Sequence, residues 1–120
     1  MLHLSSSVRY YLYRSPADMR KGFDSLAGIV TSDMQYNVCS GDIFIFLNRN
    51  RSHIKLLLWE GDGFSLYYKR LEQGTYELPV CPNPDTTMAI TSQQLQFILQ
   101  GVLLSKIVYR KRYQKKDLSY

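Results

Sequence analysis

The stretch Gly41–Pro79, GDIFIFLNRNRSHIKLLLWEGDGFSLYYKRLEQGTYELP, decides the fold of this chain. Apolar runs alternate in it with short polar or glycine-containing connections, a pattern that predicts consecutive antiparallel strands. The predicted strands are residues 42–47, 53–60, 64–70 and 75–78, and Pro79 ends the sheet. The first two runs are almost continuously apolar, which is typical of central strands that are covered on both faces.

The sequence on either side predicts more strands and two helices. Residues 8–13 and 103–109 are predicted to be strands, and residues 92–100 a helix. An earlier helix is expected after Asp18, which can cap it, because apolar residues follow at helical spacing as far as Met34. Thr91 is predicted to cap the later helix, and Gly101 to stop it.

These elements predict an α+β fold, an antiparallel meander sheet of about five strands packed by one or two helices. A chain of 120 residues is large enough for one hydrophobic core, so residues 1–109 are expected to form a single domain. Residues 110–120 lack apolar periodicity, and we expect them to form a basic, mobile tail.

The composition is that of a globular protein, with 45% hydrophobic and 21% charged residues. No apolar run approaches the length of a membrane span, and no signal peptide is recognisable, so we expect a cytoplasmic protein without a membrane partner. Cys39 and Cys81 are isolated from each other and from histidine. We interpret them as reduced, partly buried thiols, a disulfide or a metal site being the less expected alternative. No cofactor is expected.

The net charge of +5 is concentrated at one end of the chain. Residues 1–105 carry as many acidic as basic side chains, whereas residues 106–120 carry six basic side chains and a single acidic one, Asp117. A basic block of this kind often contacts a polyanion, so three of its residues are candidate DNA contacts: Arg110, Lys111 and Arg112.

Two cations stand where the first helix is predicted to begin. The helix dipole disfavours Arg20 and Lys21 at that position, which invites a functional explanation. One interpretation is that they form an anion site for a DNA phosphate together with the free N–H groups of the helix. The other is that Arg20 pairs with Asp18 or Asp24 and orients the helix.

Further cations lie in the meander itself. Arg49, Arg51 and His53 decorate the first hairpin loop, and such donors suit a phosphate backbone or a groove edge, although a solvated loop is the ordinary alternative. The other candidates are Lys55, Lys69 and Arg70, with the alternative that Lys55 only extends its ammonium to solvent at a sheet edge.

The sequence gives little indication of catalysis. The acids around Gly61 and Gly63 are more often turn residues than metal ligands, and neither a serine–histidine–aspartate arrangement nor a phosphate loop is present. The three tyrosines at positions 67, 68 and 76 suit base stacking, but cross-strand packing is the commoner role.

Three segments carry a family resemblance: PADMRKGFDSLAGIV at 16–30, SGDIFIFLNRNRSHIKLLLWEGDGFSLYYKRLEQGTYELP at 40–79, and more weakly ITSQQLQFILQGV at 90–102. With these motifs, in this order and spacing, the chain resembles the small second-reading-frame accessory proteins, called TnpB, of the insertion-sequence 66 family of bacterial transposons. Leu58 departs from the pattern, which has a second tryptophan there, and the basic tail is not part of it.

The resemblance implies an accessory role in DNA transposition, since another protein of such elements carries the acidic strand-transfer site. The leading hypothesis is a non-catalytic protein that binds DNA, the transposase of the same element, or both, and that is associated with the nucleoid when bound to DNA. The alternatives are an interaction module that docks a protein partner through an aromatic sheet face, without touching DNA, and, less expected, a metal-dependent nuclease.

Overall fold

The computed structural model describes residues 4–79 and 86–101. Five strands are present in this part of the chain: β1 (Tyr10–Tyr13), β2 (Ile43–Leu47), β3 (His53–Trp59), β4 (Phe64–Arg70) and β5 (Thr87–Ile90). The helices are α1 (Phe23–Ile29), which continues as a π-helical segment over Val30–Met34, and α2 (Ser92–Gln100). The α+β fold predicted from the sequence is confirmed.

The five strands form one sheet in the order β4-β3-β2-β1-β5. Strands β2, β3 and β4 form the predicted antiparallel meander. Strand β1 pairs with β2 in parallel, because the helical connection between them returns the chain to the end of the sheet where β1 began. The sheet is therefore mostly, but not entirely, antiparallel.

The fifth strand is not the one that the sequence predicted. Residues 75–78 are irregular, and β5 pairs antiparallel with β1 at the other edge of the sheet. After β4 the chain folds back over the sheet, and the N–H of Tyr76 donates to the carbonyl oxygen of Arg51 at 2.7 Å. This fold-back buries Tyr76 and half-buries Leu78, so the apolar pattern reflects burial without strand pairing. The predicted strand at 103–109 lies outside the described residues.

Hydrophobic residues cover both faces of the sheet, as the continuous apolar strands predicted. One face packs against α1 and its π-helical continuation, with Leu26, Val30 and Met34 against Phe44 and Phe46. The other face packs against α2 and the segment after β4, and its fully buried members include Leu12, Ile45, Ile54, Tyr76, Leu95 and Ile98. Every residue of β2 is buried, which makes it the centre of the core.

The predicted ends of α2 are confirmed, whereas the predicted start of α1 is wrong. Helix α2 has the predicted ends, with Thr91 and Gln94 forming a reciprocal capping box and Gly101 in a left-handed conformation at the C-terminus. Helix α1 begins at Phe23 and not directly after Asp18. The Asp18 carboxylate accepts a hydrogen bond from the N–H of Arg20 at 2.9 Å, and this local turn competes with helix formation.

Two further observations concern cysteine and membrane predictions. Cys39 carries a free thiol that is exposed, not partly buried as expected; Cys81 lies outside the described residues. Within the described part of the chain, no helix is both long and apolar enough to cross a membrane.

Candidate nucleic-acid interface

The topology of the sheet gathers cations at one of its ends. Strands β1, β2 and β4 finish at this end, while β3 and β5 begin there. The N–H of Ala17 donates to the carbonyl oxygen of Leu47 at 2.8 Å, which holds the connection between β1 and α1 at the same place. We call this the basic end. It is where seven of the nine lysines and arginines of the described residues stand: Arg14, Arg20, Lys21, Arg49, Arg51, Lys69 and Arg70.

The opposite end of the sheet has a different charge. Asp42 precedes β2 there, and Glu60 and Asp62 lie in the turn between β3 and β4. Arg9 is held by Asp42, with 3.5 Å between Nε and Oδ1. The sequence alone did not establish that Arg20, Lys21, Arg49 and Arg51 share a surface. The order of the strands now places them at one end.

Carboxylates at the basic end hold two of its arginines. Asp18 pairs with Arg20, with 2.7 Å between Oδ2 and Nη2, and the hydrogen bonds from Arg20 lower the pKa of Asp18 strongly. The second interpretation of the sequence named this pairing of Arg20 with Asp18. Because α1 begins only at Phe23, Arg20 and Lys21 precede the helix and do not belong to its first turn. Glu72 pairs with Arg70 at 3.1 Å.

Three exposed cations at the basic end have no such partner. Within residues 4–79 and 86–101, Arg49, Arg51 and Lys69 form no ion pair with a carboxylate, and all three are exposed. The cost of removing them from water on binding is offset when the ligand is an anion such as a phosphate. The three candidates of the tail, Arg110, Lys111 and Arg112, lie outside the described residues.

Lys55 is corrected as a candidate DNA contact. It is only 6% exposed, and β3 is an inner strand, so its ammonium does not extend to solvent at a sheet edge. Nζ donates to the carbonyl oxygens of Met19 and Lys21, at 2.8 Å each, and lies 4.6 Å from the centroid of the Tyr68 ring. A buried ammonium has to be hydrogen-bonded, and here it binds the segment before α1 to the sheet.

The loop between β2 and β3 is held by the side chain of Asn48. Its Oδ1 accepts from the N–H groups of Ser52 and His53, at 2.9 and 3.0 Å. These two backbone donors fix the orientation of the amide, so Nδ2 faces the Nδ1 atom of His53 as a donor at 3.1 Å. His53 Nδ1 is the acceptor of this hydrogen bond. The loop is a rigid platform for the cations that it carries.

Arg51 adopts a left-handed backbone conformation within this loop, with φ of 57°. This conformation costs an ordinary L-residue about 1–2 kcal/mol, and glycine or asparagine would fit it better. Its N–H donates to the carbonyl oxygen of Asn48 at 3.0 Å, which closes the turn. An arginine kept at a strained position points to a role for its side chain.

The acids that a metal-dependent nuclease would need do not converge in the described part of the chain. No group of three or more histidine, cysteine, aspartate or glutamate side chains is placed there to hold a metal ion. Glu60 and Asp62 instead lie in a turn, in which the N–H of Glu60 donates to the carbonyl oxygen of Gly63 at 2.8 Å, and the Glu60 carboxylate accepts from the hydroxyl of Ser65.

The comparison with protein families decides which group of proteins this is. Residues 8–109 match the model of the IS66 Orf2-like proteins, a span that leaves out residues 110–120. The chain belongs to the IS66 Orf2-like family. Members of this family are accessory proteins associated with transposition, so the resemblance found in the sequence motifs is confirmed.

Two curated relatives of this IS66 Orf2-like protein come from Sinorhizobium fredii (strain NBRC 101917 / NGR234). The uncharacterized protein y4hO is 33% identical over 102 residues, which cover 85% of this chain and 87% of the relative. The uncharacterized protein y4jC is 26% identical over 102 residues, which cover 85% of this chain and 86% of the relative. No solved structure matches the chain.

Proposed function

We propose that this IS66 Orf2-like protein is a non-catalytic accessory protein of transposition that binds DNA at its basic end. The observation that carries the proposal is the placement of seven cations, from two separate connections and one strand end, at one end of the sheet. Three of them, Arg49, Arg51 and Lys69, have no ion-pair partner within the described residues. DNA binding would bring the protein to the nucleoid.

The chemistry of these cations favours phosphate over a specific base edge. Arginine and lysine side chains on a loop and a strand end can contact successive phosphates without reading sequence. The hydrogen bonds of Asn48 hold the backbone of the loop that carries Arg49 and Arg51, which reduces the backbone entropy lost on binding. Binding is therefore expected to depend steeply on salt and only weakly on sequence.

The experiment is a salt titration of DNA affinity, measured by fluorescence anisotropy. Wild type is compared with a double variant, Arg49→Ala with Arg51→Ala, and with Arg9→Ala as a matched control from the opposite end of the sheet. Each lost phosphate contact should reduce the slope of log affinity against log salt by about 1, so the double variant should lose about 2 and the control nothing. Absence of binding at low salt, or equal slopes in all three proteins, would refute the proposal.

A second candidate is contact with the transposase of the same element. Strand β4 is an edge strand with β3 on one side only among the described residues, and such an edge can accept a strand from a partner. A complex with the transposase that survives high salt and tolerates the double variant would favour this function over DNA binding.

The non-catalytic part of the proposal has its own test. Incubation of supercoiled and linear DNA with the purified protein, in the presence of Mg²⁺ or Mn²⁺, should give no cleavage. Nicking or cutting that copurifies with the protein would establish the nuclease alternative.

A further inference from the structure

Tyr68 is an exposed aromatic side chain near the basic end of the sheet. Three large hydrophobic side chains are exposed in the described part of the chain, namely Phe23, Tyr36 and Tyr68, and Tyr68 is the most exposed at 51%. The other two tyrosines considered for base stacking differ from it. Tyr76 is 2% exposed, and Tyr67 is half-buried against the core of the opposite face.

The ring of Tyr68 is supported from the side of β3. The His53 ring lies against it, with centroids 5.9 Å apart and planes inclined by 28°. The Lys55 ammonium lies 4.6 Å from its centroid. No strand pairs with the other side of β4 among the described residues, so Tyr68 stands on an edge strand with about half of its surface exposed.

Both supports are themselves fixed by hydrogen bonds. His53 Nδ1 is bonded to Ser52 Oγ at 2.8 Å and faces the Asn48 amide, while the Lys55 ammonium binds two backbone carbonyls. The Tyr68 ring is thus held in position before any ligand arrives, which lowers the entropy that a stacking contact costs.

Candidate phosphate-binding side chains lie near this ring in the sheet. Arg70 stands two residues further along β4 and so lies on the same face of the sheet as Tyr68. It is in register with His53, directly after the loop that carries Arg49 and Arg51. An aromatic platform beside a line of cations is the arrangement by which proteins bind single strands, because every base presents a π-face and every nucleotide a phosphate.

We infer that Tyr68 stacks on an unpaired nucleobase, so that the basic end binds single-stranded DNA in preference to duplex. The inference rests on the proposed DNA binding and adds the form of DNA that is bound. Bases inside a duplex are already stacked on each other and leave no face free for the Tyr68 ring.

The experiment compares three probes by fluorescence anisotropy at low salt. They are an oligothymidine of about 20 nucleotides, an abasic strand of the same length and a duplex of the same length. Wild type should bind oligothymidine at least about fivefold more tightly than the abasic strand, which presents the same phosphates. Tyr68→Thr, which suits an edge strand, should remove this difference, and Tyr68→Phe, which keeps the ring, should retain it. Tyr36→Thr is the control for loss of an exposed tyrosine elsewhere.

The outcomes separate this inference from the proposed function. If duplex binding remains salt-dependent while wild type binds oligothymidine and the abasic strand equally, the stacking inference is overturned and the phosphate contacts stand. Equal losses of duplex and single-strand affinity in Tyr68→Thr also overturn it. If none of the three probes is bound, both proposals fail. The abasic comparison uses wild type alone and therefore does not depend on the folding of any variant.

Discussion

The ammonium of Lys55 donates a hydrogen bond of 2.8 Å to the carbonyl oxygen of Lys21, which joins strand β3 to the connection before α1. The same ammonium binds the carbonyl oxygen of Met19 and lies against the ring of Tyr68 on β4. A single buried cation thus links the segment that carries Arg20 and Lys21 to the strand that carries Lys69 and Arg70. At the basic end, Lys55 therefore keeps the segment before α1 in contact with the sheet.

Replacement of Lys55 by methionine tests this role. Lys55→Met should lower the free energy of unfolding by about 2 kcal/mol, because two carbonyls lose a charged donor while the cost of burying an ammonium is also removed. The exposed Lys69→Met is the matched control and should change stability by no more than about 0.5 kcal/mol. Urea denaturation gives both values. A Lys55→Met protein as stable as wild type would show that the two hydrogen bonds contribute nothing net.

Replacement of Arg51 by glycine should separate stability from binding. Arg51→Gly relieves a left-handed conformation that costs about 1–2 kcal/mol and adds a glycine entropy cost of about 0.5–1 kcal/mol, so stability should rise by up to about 1.5 kcal/mol. DNA affinity should fall because a phosphate contact is lost. The control is Arg49→Gly in the same loop, where φ is not positive and stability should fall. Loss of stability in Arg51→Gly, or undiminished DNA affinity, would argue against a functional reason for the strained arginine.

Removal of the Asn48 side chain should disorder the loop without changing its charge. Asn48→Ala leaves the N–H groups of Ser52 and His53 without their acceptor, and we expect a loss of about 1 kcal/mol in the free energy of unfolding. DNA affinity should fall as well, since Arg49 and Arg51 lose their fixed positions. Asn50→Ala is the control, because Asn50 is an exposed neighbour in the same loop. Equal DNA affinities of the two variants would show that loop rigidity is irrelevant to binding.

The stability of the protein at alkaline pH should depend on the buried side chain of Tyr76. Burial raises the pKa of Tyr76 to about 12, and its hydroxyl has no hydrogen-bond partner within the described residues. In the unfolded chain the pKa of a tyrosine is about 10. Between about pH 10 and 12 the unfolded chain therefore binds fewer protons than the folded chain. The contribution of Tyr76 to the free energy of unfolding is fully present below about pH 10 and is lost as the pH rises from about 10 towards 12.

The comparison with Tyr76→Phe isolates this contribution. At neutral pH the variant should be at least as stable as wild type, since it loses an unpaired buried hydroxyl. Above about pH 10 the free energy of unfolding of wild type should decrease relative to that of the variant. Urea denaturation across this pH range measures the difference. A difference that stays constant with pH would mean that Tyr76 is not buried as described.

Much of this architecture was predictable because apolar pattern and turn chemistry agree. The meander of β2, β3 and β4 follows from its two short connections, and α2 follows from the Thr91 cap and the Gly101 stop. The prediction of a strand at 75–78 is wrong, because the apolar residues there are buried by the fold-back of the chain and not by strand pairing. The parallel pairing of β1 with β2 depends on the path of the crossover, which local sequence does not specify.

The candidate site was predicted less completely than the fold. The loop cations Arg49 and Arg51 could be proposed from sequence because a hairpin loop is exposed. The internal role of Lys55 could not, since its carbonyl partners lie more than thirty residues earlier in the chain. The one indication of this role in the sequence is that Lys55 stands alone within an apolar strand. The left-handed conformation of Arg51 and the support of the Tyr68 ring appear only once the strands are in register.

The most direct measurement is a map of backbone amide chemical shifts in the protein during titration with single-stranded DNA at low salt. Binding at the basic end predicts shifts concentrated in residues 18–21, 48–53 and 68–71, with residues 40–43 and 60–63 at the opposite end unchanged. Shifts centred on the opposite end, or a complex that leaves residues 48–53 unperturbed, would contradict DNA binding at the basic end.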